Sequence, residues 1–299
     1  PVEVKPADKK PEEKKVVPKP VEKKAEEKKE VKPQQPKAPD KPAPPQPVVF
    51  KDKNLEAAVR KQVFAKRDNK DPLYVSDVES VAFIKGKGLK ISDLSGLEKC
   101  VALAQLELPE NEITDIAPLK GLERLQYLDL SRNQIENVSV LGSLKALQYL
   151  ELTGNKVKDI KALGDIPSLT SIYLAHNQIT DVTPVFKLPK VSSLYLEDNQ
   201  VNSIAGIGSL KWLGMLSLSG NKLSDISPLE PLGHLRFIFI EKNQITDIEP
   251  LHRMIKKDSE GPREFAPYLK LYLKDNPLSE ASKKLLEDIK ALQPSMLAL

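Results

Sequence analysis

The chain has 299 residues, enough for one large domain with a substantial core, and 40% of them are hydrophobic but only 5% aromatic. Its net charge of +4 lies in residues 1–48, where 13 Lys face 9 acidic residues; the remainder holds 33 basic and 33 acidic residues, without the basic surplus of a nucleic-acid reader. Cys100 is the single cysteine, which excludes an intramolecular disulfide, and no run of about 18 apolar residues is present to cross a membrane.

Residues 1–48 are built from Lys, Glu, Pro, Val, Ala and a few Gln and Asp, with twelve prolines and neither aromatic nor Gly. Such a segment buries too little apolar surface to offset its ordering entropy, so a disordered leader or linker is predicted. In polyproline II geometry, at roughly 3.1 Å per residue, it would reach about 150 Å. It resembles in composition the Lys-Pro and Glu-Pro tracts of exported bacterial proteins. A start at Pro1 rather than Met points to a removed leader or an internal start. Export to the periplasm, envelope or exterior is therefore expected, with a cytoplasmic location as the alternative.

Residues 49–80 read as a helical cap. Leu55, Ala58, Val59 and Val63 share one face of a helix predicted from about 53 to 65, and Ser76 and Glu79 have capping-box spacing.

From Val81 to residue 278 the chain repeats itself. Asn111, Asn133, Asn155, Asn177, Asn199, Asn221 and Asn243 recur every 22 residues within the pattern LxxLxLxxNxIxxIxxLxxL. A turn before them keeps the apolar positions but has Leu89 in place of Asn. Asn276 follows Asn243 by 33 residues, so an insert is expected over about 257–267. A fixed period of this kind means a solenoid of leucine-rich repeats. The LxL segment supplies a short strand with alternate side chains inward, and the Asn amide can satisfy backbone groups buried where the chain leaves the strand. Pro118, Pro184, Pro228 and Pro250 share one phase that suits the start of a short helical turn. Residues 279–299 read as a C-terminal capping helix, with Ser279 as N-cap and Leu285, Leu286, Ile289 and Leu292 closing the last coil.

The predicted fold is thus an α/β solenoid: a right-handed superhelix with a parallel concave sheet, short 3-10 or irregular convex turns and helical caps. Its strands present two outward columns. One reads Phe83, Gln105, Tyr127, Tyr149, Ser171, Ser193, Met215, Phe237 and Lys270. The other reads Lys85, Glu107, Asp129, Glu151, Tyr173, Tyr195, Ser217, Phe239 and Tyr272. These 18 positions hold eight of the 15 aromatics. Tyr and Phe favour strands and pair across them, which is the plain reading; exposed aromatics also dominate interface hot spots, which is the functional one. The expected partner-binding residues are Glu107, Tyr127, Asp129, Tyr149, Glu151, Tyr173, Tyr195, Met215, Phe237, Phe239 and Tyr272. Glu107, Asp129 and Glu151 form an acidic stripe, which favours a protein or peptide ligand with a basic flank and disfavours nucleic acid. A monomer is expected.

No Ser/His/Asp set, phosphate loop or zinc spacing is present, so neither an enzyme nor a cofactor is expected. The turn residues Asp115, Asp159, Asp181, Asp225 and Asp247 form a column that Asx turns explain more simply than calcium. His176, His234 and His252 match no metal spacing. Cys100 stands where later coils have Leu, as a buried small hydrophobe. Asn137-Val-Ser139 is a glycosylation sequon in form, and Trp212 is expected at the edge of a coil.

The units NEITDIAPLKGL, NKLSDISPLEPL and NQITDIEPLHRM resemble the repeats of bacterial internalins and of the protein-phosphatase-1 regulatory subunit of the same repeat subclass. FKDKNLEAAVRKQVF is similar to the internalin helical cap. The resemblance covers about residues 50–292. It implies non-catalytic binding of another protein through the concave sheet, with an intracellular phosphatase or kinase scaffold as the alternative.

Overall fold

The computed structural model describes residues 45–261, 264–265, 269–292 and 297–298. The expected leader lies outside them except for residues 45–48, as do residues 262–263 and 266–268 of the expected insert. The sheet, its turns and both caps belong to one unit, Pro45–Leu299.

Three-residue strands recur once per coil: β1 Phe83–Lys85, β2 Gln105–Glu107, β3 Tyr127–Asp129, β4 Tyr149–Glu151, β5 Ser171–Tyr173, β6 Ser193–Tyr195, β7 Met215–Ser217, β8 Phe237–Phe239 and β9 Lys270–Tyr272. They form one parallel sheet in chain order, each residue pairing with the one 22 positions on as far as β8. The middle residue of each strand points inward and is fully buried, while its two neighbours are half-buried or exposed in all but one case, Ser217 of β7. Seven short 3-10 turns, Leu97–Lys99 through Ser227–Leu229, supply the opposite wall. Pro118, Pro184 and Pro228 each take the second place of such a turn, where the missing N–H costs no hydrogen bond.

The polar spine explains the invariant period. Asn177 Nδ2 donates to Leu174 O of its own coil at 3.1 Å and to Leu152 O of the preceding coil at 3.0 Å. Its Oδ1 accepts from Val157 N at 2.9 Å. The same three bonds recur at each Asn from Asn111 to Asn221, every one of them buried. Asn243 keeps both donations and accepts from Leu223 N at 3.0 Å, and Asn276 closes the series on Ile240, Leu273 and Ile245. Only a short primary amide offers both donors and an acceptor in that space.

The Asp column is a set of Asx turns. Asp115, Asp159, Asp181, Asp225 and Asp247 each accept from the backbone N–H two residues on, at 2.8–2.9 Å. Asn137 and Ser203, which interrupt the column in sequence, make the same bond.

The ends are closed by helices, with some departures from expectation. Helix α1 spans Lys53–Arg60 rather than reaching 65, and Asp52 caps it while also accepting from Ser92 N at 2.8 Å. Phe50 packs where any side chain on Gly96 would fall, a Cβ there standing 2.5 Å from the ring. The capping box expected at Ser76 and Glu79 is shifted. Helix α2 is Val75–Val78, and the Asp77 carboxylate accepts from Tyr74 N at 2.7 Å because the strand-bound chain delivers Tyr74, not Ser76, to the cap position. In the eighth coil helix α3, Glu249–Ser259, replaces the 3-10 turn, and its buried Asp258 accepts from Glu264 N and Phe265 N. Helix α4, Glu280–Leu292, is capped by Ser279, whose Oγ accepts from Ser282 N. Ile289 is buried against the last coil, but Leu292 lies one turn beyond it and is exposed. A two-residue strand β10, Leu297–Ala298, then pairs with β9.

Replacing Asn177 by Ala would strand the buried Val157 N–H and leave Leu152 O and Leu174 O with one amide donor each, Asn155 and Asn199, in place of two, so a loss of about 1–3 kcal/mol is expected. Urea denaturation followed by circular dichroism measures it; a loss within about 0.5 kcal/mol, as for an ordinary surface change, would show that water replaces the amide.

Candidate partner-binding face

The half-buried outer positions of the strands bring the expected aromatics together. Tyr127 and Tyr149 stack at 4.2 Å between centroids, Tyr149 meets Tyr173 at 5.2 Å with a 38° tilt, and Tyr173 stacks on Tyr195 at 4.7 Å. Tyr195 Oη approaches Met215 Sδ at 3.5 Å. Met215 is the register partner of Phe237, and Phe239 stacks on Tyr272 at 4.4 Å. A ladder that starts in one column therefore crosses to the other between β4 and β5, returns to the first at Met215, and passes over again at β8, where Phe237 stacks on Phe239. Phe83 stands apart, separated by Gln105, and is 48% exposed. Trp212 stacks on His234 away from the ladder, and both are exposed.

The acidic stripe is partly satisfied by the chain itself. Glu107 pairs with Lys85 at 3.0 Å and takes a bond from Gln105. Asp129 accepts from Ser131 N at 2.9 Å and Ser131 Oγ at 2.7 Å, and Glu151 accepts from Thr153 N at 2.8 Å. Burial holds the Glu151 carboxyl above its ordinary range, and the charges of Asp129 and Glu197 push it further against the bonds from Thr153. Burial also raises the hydroxyls of Tyr149, Tyr173 and Tyr195, which stay neutral donors. Away from this face, burial pushes the Cys100 thiol up to about 12, with Glu98 adding to it, as befits a core side chain.

A third outward column, two residues past the second, holds groups that the two-column reading leaves out. It reads Lys87, Pro109, Ser131, Thr153, Ala175, Glu197, Ser219, Glu241 and Lys274. Its small members leave depressions. One, of about 490 Å³, lies over β1–β3 and is lined by Lys85, Lys87, Glu107, Glu110 and Arg132 among others. Another, of about 340 Å³, is lined by Thr153, Ala175, His176, Glu197, Asp198, Ser219, Gly220, Glu241 and Lys242. The signal for it in the sequence is the run of small residues at 153, 175 and 219 between carboxylates.

Residues 101–157 match the leucine-rich-repeat family profile, and residues 167–212 match a two-copy leucine-rich-repeat profile. No curated protein sequence matches the chain. Among solved structures, an internalin (inlF) of Listeria monocytogenes is similar over 85% of this chain and 71% of its own, at 27% identity and TM-score 0.74. An internalin C2 (inlC2) of the same species is similar over 79% and 97%, at 30% identity and TM-score 0.66. The leucine-rich-repeat ectodomain of an Arabidopsis thaliana receptor kinase, in complex with CASPARIAN STRIP INTEGRITY FACTOR 2, shares the fold over 62% of this chain and 26% of its own, at 22% identity and TM-score 0.52.

The raised Glu151 pKa fixes the sign of a pH effect. The folded chain keeps this proton to a higher pH than the unfolded chain, so stability falls as pH rises from the ordinary glutamate range through the raised one. Glu151→Gln, which keeps an acceptor for Thr153, should melt higher than the parent at pH 8, the gain vanishing near about pH 4. Thermal melts across that range check it; a gain that grows on acidification is the opposite result.

Proposed function

The chain belongs to the leucine-rich-repeat family, of the internalin kind, and on that premise we propose that it is a non-catalytic module that binds a protein or peptide along the outer face of its sheet. The observation that carries this is the run of ring contacts from Tyr127 to Tyr195 and Met215, followed on the next strands in register by the stacked set Phe237, Phe239 and Tyr272. Stacking uses the flat faces of these rings, but their outer edges and neutral hydroxyls stay on the half-buried surface. Rigid aromatics of this kind supply contact area at low entropic cost. Asp129 and Glu151 would favour a cationic flank in the ligand. The reading includes export, supported by the Lys/Pro/Glu composition of the leader and by the internalin similarity; among the described residues no helix is long and apolar enough to cross a membrane.

The test is a random-sequence peptide array read with the labelled full chain and with Tyr173→Ala/Tyr195→Ala. Losing the 4.7 Å stack should cost about 0.5–1.5 kcal/mol of stability. Binding to the peptides selected by the parent should weaken by about 2–4 kcal/mol, as truncated hot spots do. Undiminished binding by the double variant would retire the ladder as the contact surface.

A further inference from the structure

The two depressions of the third column differ in how their charges are met. Over β1–β3, Glu107 has Lys85 at 3.0 Å, and Glu110 has Lys87 at 3.2 Å and Arg132 at 3.4 Å. The chain fills that depression with its own cations. Over β4–β8 the lining holds three carboxylates, Glu197, Asp198 and Glu241, against Lys242 and His176. His176 Nδ1 lies 3.2 Å from Asp198, and Ser219 Oγ donates to Glu241. Glu197 is left out. Its Oε2 is buried and accepts no hydrogen bond, and among the described residues no cation lies within ion-pair distance of it. It is the single buried side-chain polar atom in that state among the described residues.

A buried carboxylate oxygen without a donor is costly, and the cost is removed by an incoming cation. Room exists for one. Ala175 and Gly220 stand where a larger side chain would close the space, and about 340 Å³ is some ten times the roughly 30 Å³ share of a water. The place is also apt, because Glu197 is close enough to act on the Tyr195 hydroxyl and on Glu151 and so borders the ladder. A Lys or Arg side chain entering there would have tyrosine at its flank, and aromatic rings attract cations.

We propose that this depression receives one lysine or arginine side chain of the polypeptide bound along the ladder, with Glu197 as its principal counter-ion and Glu241 as the second. The proposal rests on the reading of the sheet face as a binding surface and adds the residue that selects the ligand. A polypeptide side chain, rather than a free polyamine, is the occupant because the depression opens beside an extended aromatic track that only a longer ligand would use.

Fluorescein-labelled hexalysine, titrated by polarisation against the full chain at low and at physiological salt, tests it. Glu197→Gln should weaken binding about tenfold or more, the worth of a hydrogen bond to a charged group. Glu110→Gln, in the depression that is already balanced, should change it less than about threefold. Glu197→Gln should melt no lower than the parent, since the lost charge has no partner in the free chain. Equal weakening by both variants would reduce the effect to a general field and overturn the proposal. So would a melting loss in Glu197→Gln as large as that of Asn177→Ala, which would reveal an internal partner. Spermidine binding as tightly as hexalysine would overturn the polypeptide assignment. Array peptides that depend on Tyr173 and Tyr195 but not on Glu197 would overturn the socket while leaving the ladder standing; dependence on Glu197 without the tyrosines would do the reverse.

Discussion

Every coil of this chain has to turn out of a three-residue strand inside a dry core, and the buried Asn amides make that turn permissible. A strand this short satisfies few of its own flanking backbone groups, and the next 22 residues must return to stack on it. Asn177 ties Leu174 in its own coil to Leu152 and Val157 in the coil before. The bond set is local and inter-coil at once. It fixes both the shape of each coil and the register between coils, so the register of the outer side chains follows from it. The alignment of Tyr127 over Tyr149 and of Tyr173 over Tyr195 is a consequence of the amide spine as much as of ring stacking.

The same turn forces an unusual backbone state on the residue before each Asn. Glu110, Arg132, His176, Asp198, Lys242 and Asp275 all have φ between 50 and 60°, and Gly appears at that place only as Gly154 and Gly220. A non-glycine residue there costs roughly 1–2 kcal/mol. That the chain tolerates this at six coils shows how strongly the spine governs the backbone. It also sets long polar side chains along the rim of the sheet face, where Arg132 reaches Glu110 and His176 reaches Asp198.

The solenoid is legible in the sequence because its determinants are periodic. The buried Leu and Ile positions, the Asn spacing and the outward aromatic columns all read directly from a 22-residue alignment of the chain with itself. The illegible features depend on cross-coil geometry. Ser76 and Glu79 have the spacing of a capping box, yet the bridge between Pro47 and Tyr74 places the cap two residues earlier. The insert is visible as a broken period, but a broken period does not reveal that Glu249–Ser259 is a helix whose buried Asp258 holds the chain beyond it. Each member of the acidic stripe is met two residues away in its own coil, by Gln105, Ser131 and Thr153, but the Lys85 that pairs with Glu107 comes from the coil before. The least satisfied carboxylate, Glu197, sits in a column that the alternation rule marks as outward but that carries no aromatic to draw notice.

Function in a repeat array is written where the repeat departs from self-consistency. Interior positions vary only among Leu, Ile, Val and a few substitutes, because each must fill the same slot. The outer columns are free of that constraint, and there the chain changes character along its axis. Over β1–β3 Glu107 and Glu110 meet resident lysines and arginine, and Asp129 is held by Ser131. Aromatics occupy β3 to β6 and again β8 and β9, with Met215 between them on β7, and no cation enters the second and third columns between β2 and β8. A stretch that could have taken a Lys every 22 residues, and did so at both ends with Lys85 and Lys274, instead keeps Glu197 without a donor. Stability alone would favour a lysine beside it. The missing charge is therefore best understood as one supplied by whatever lies on the ladder.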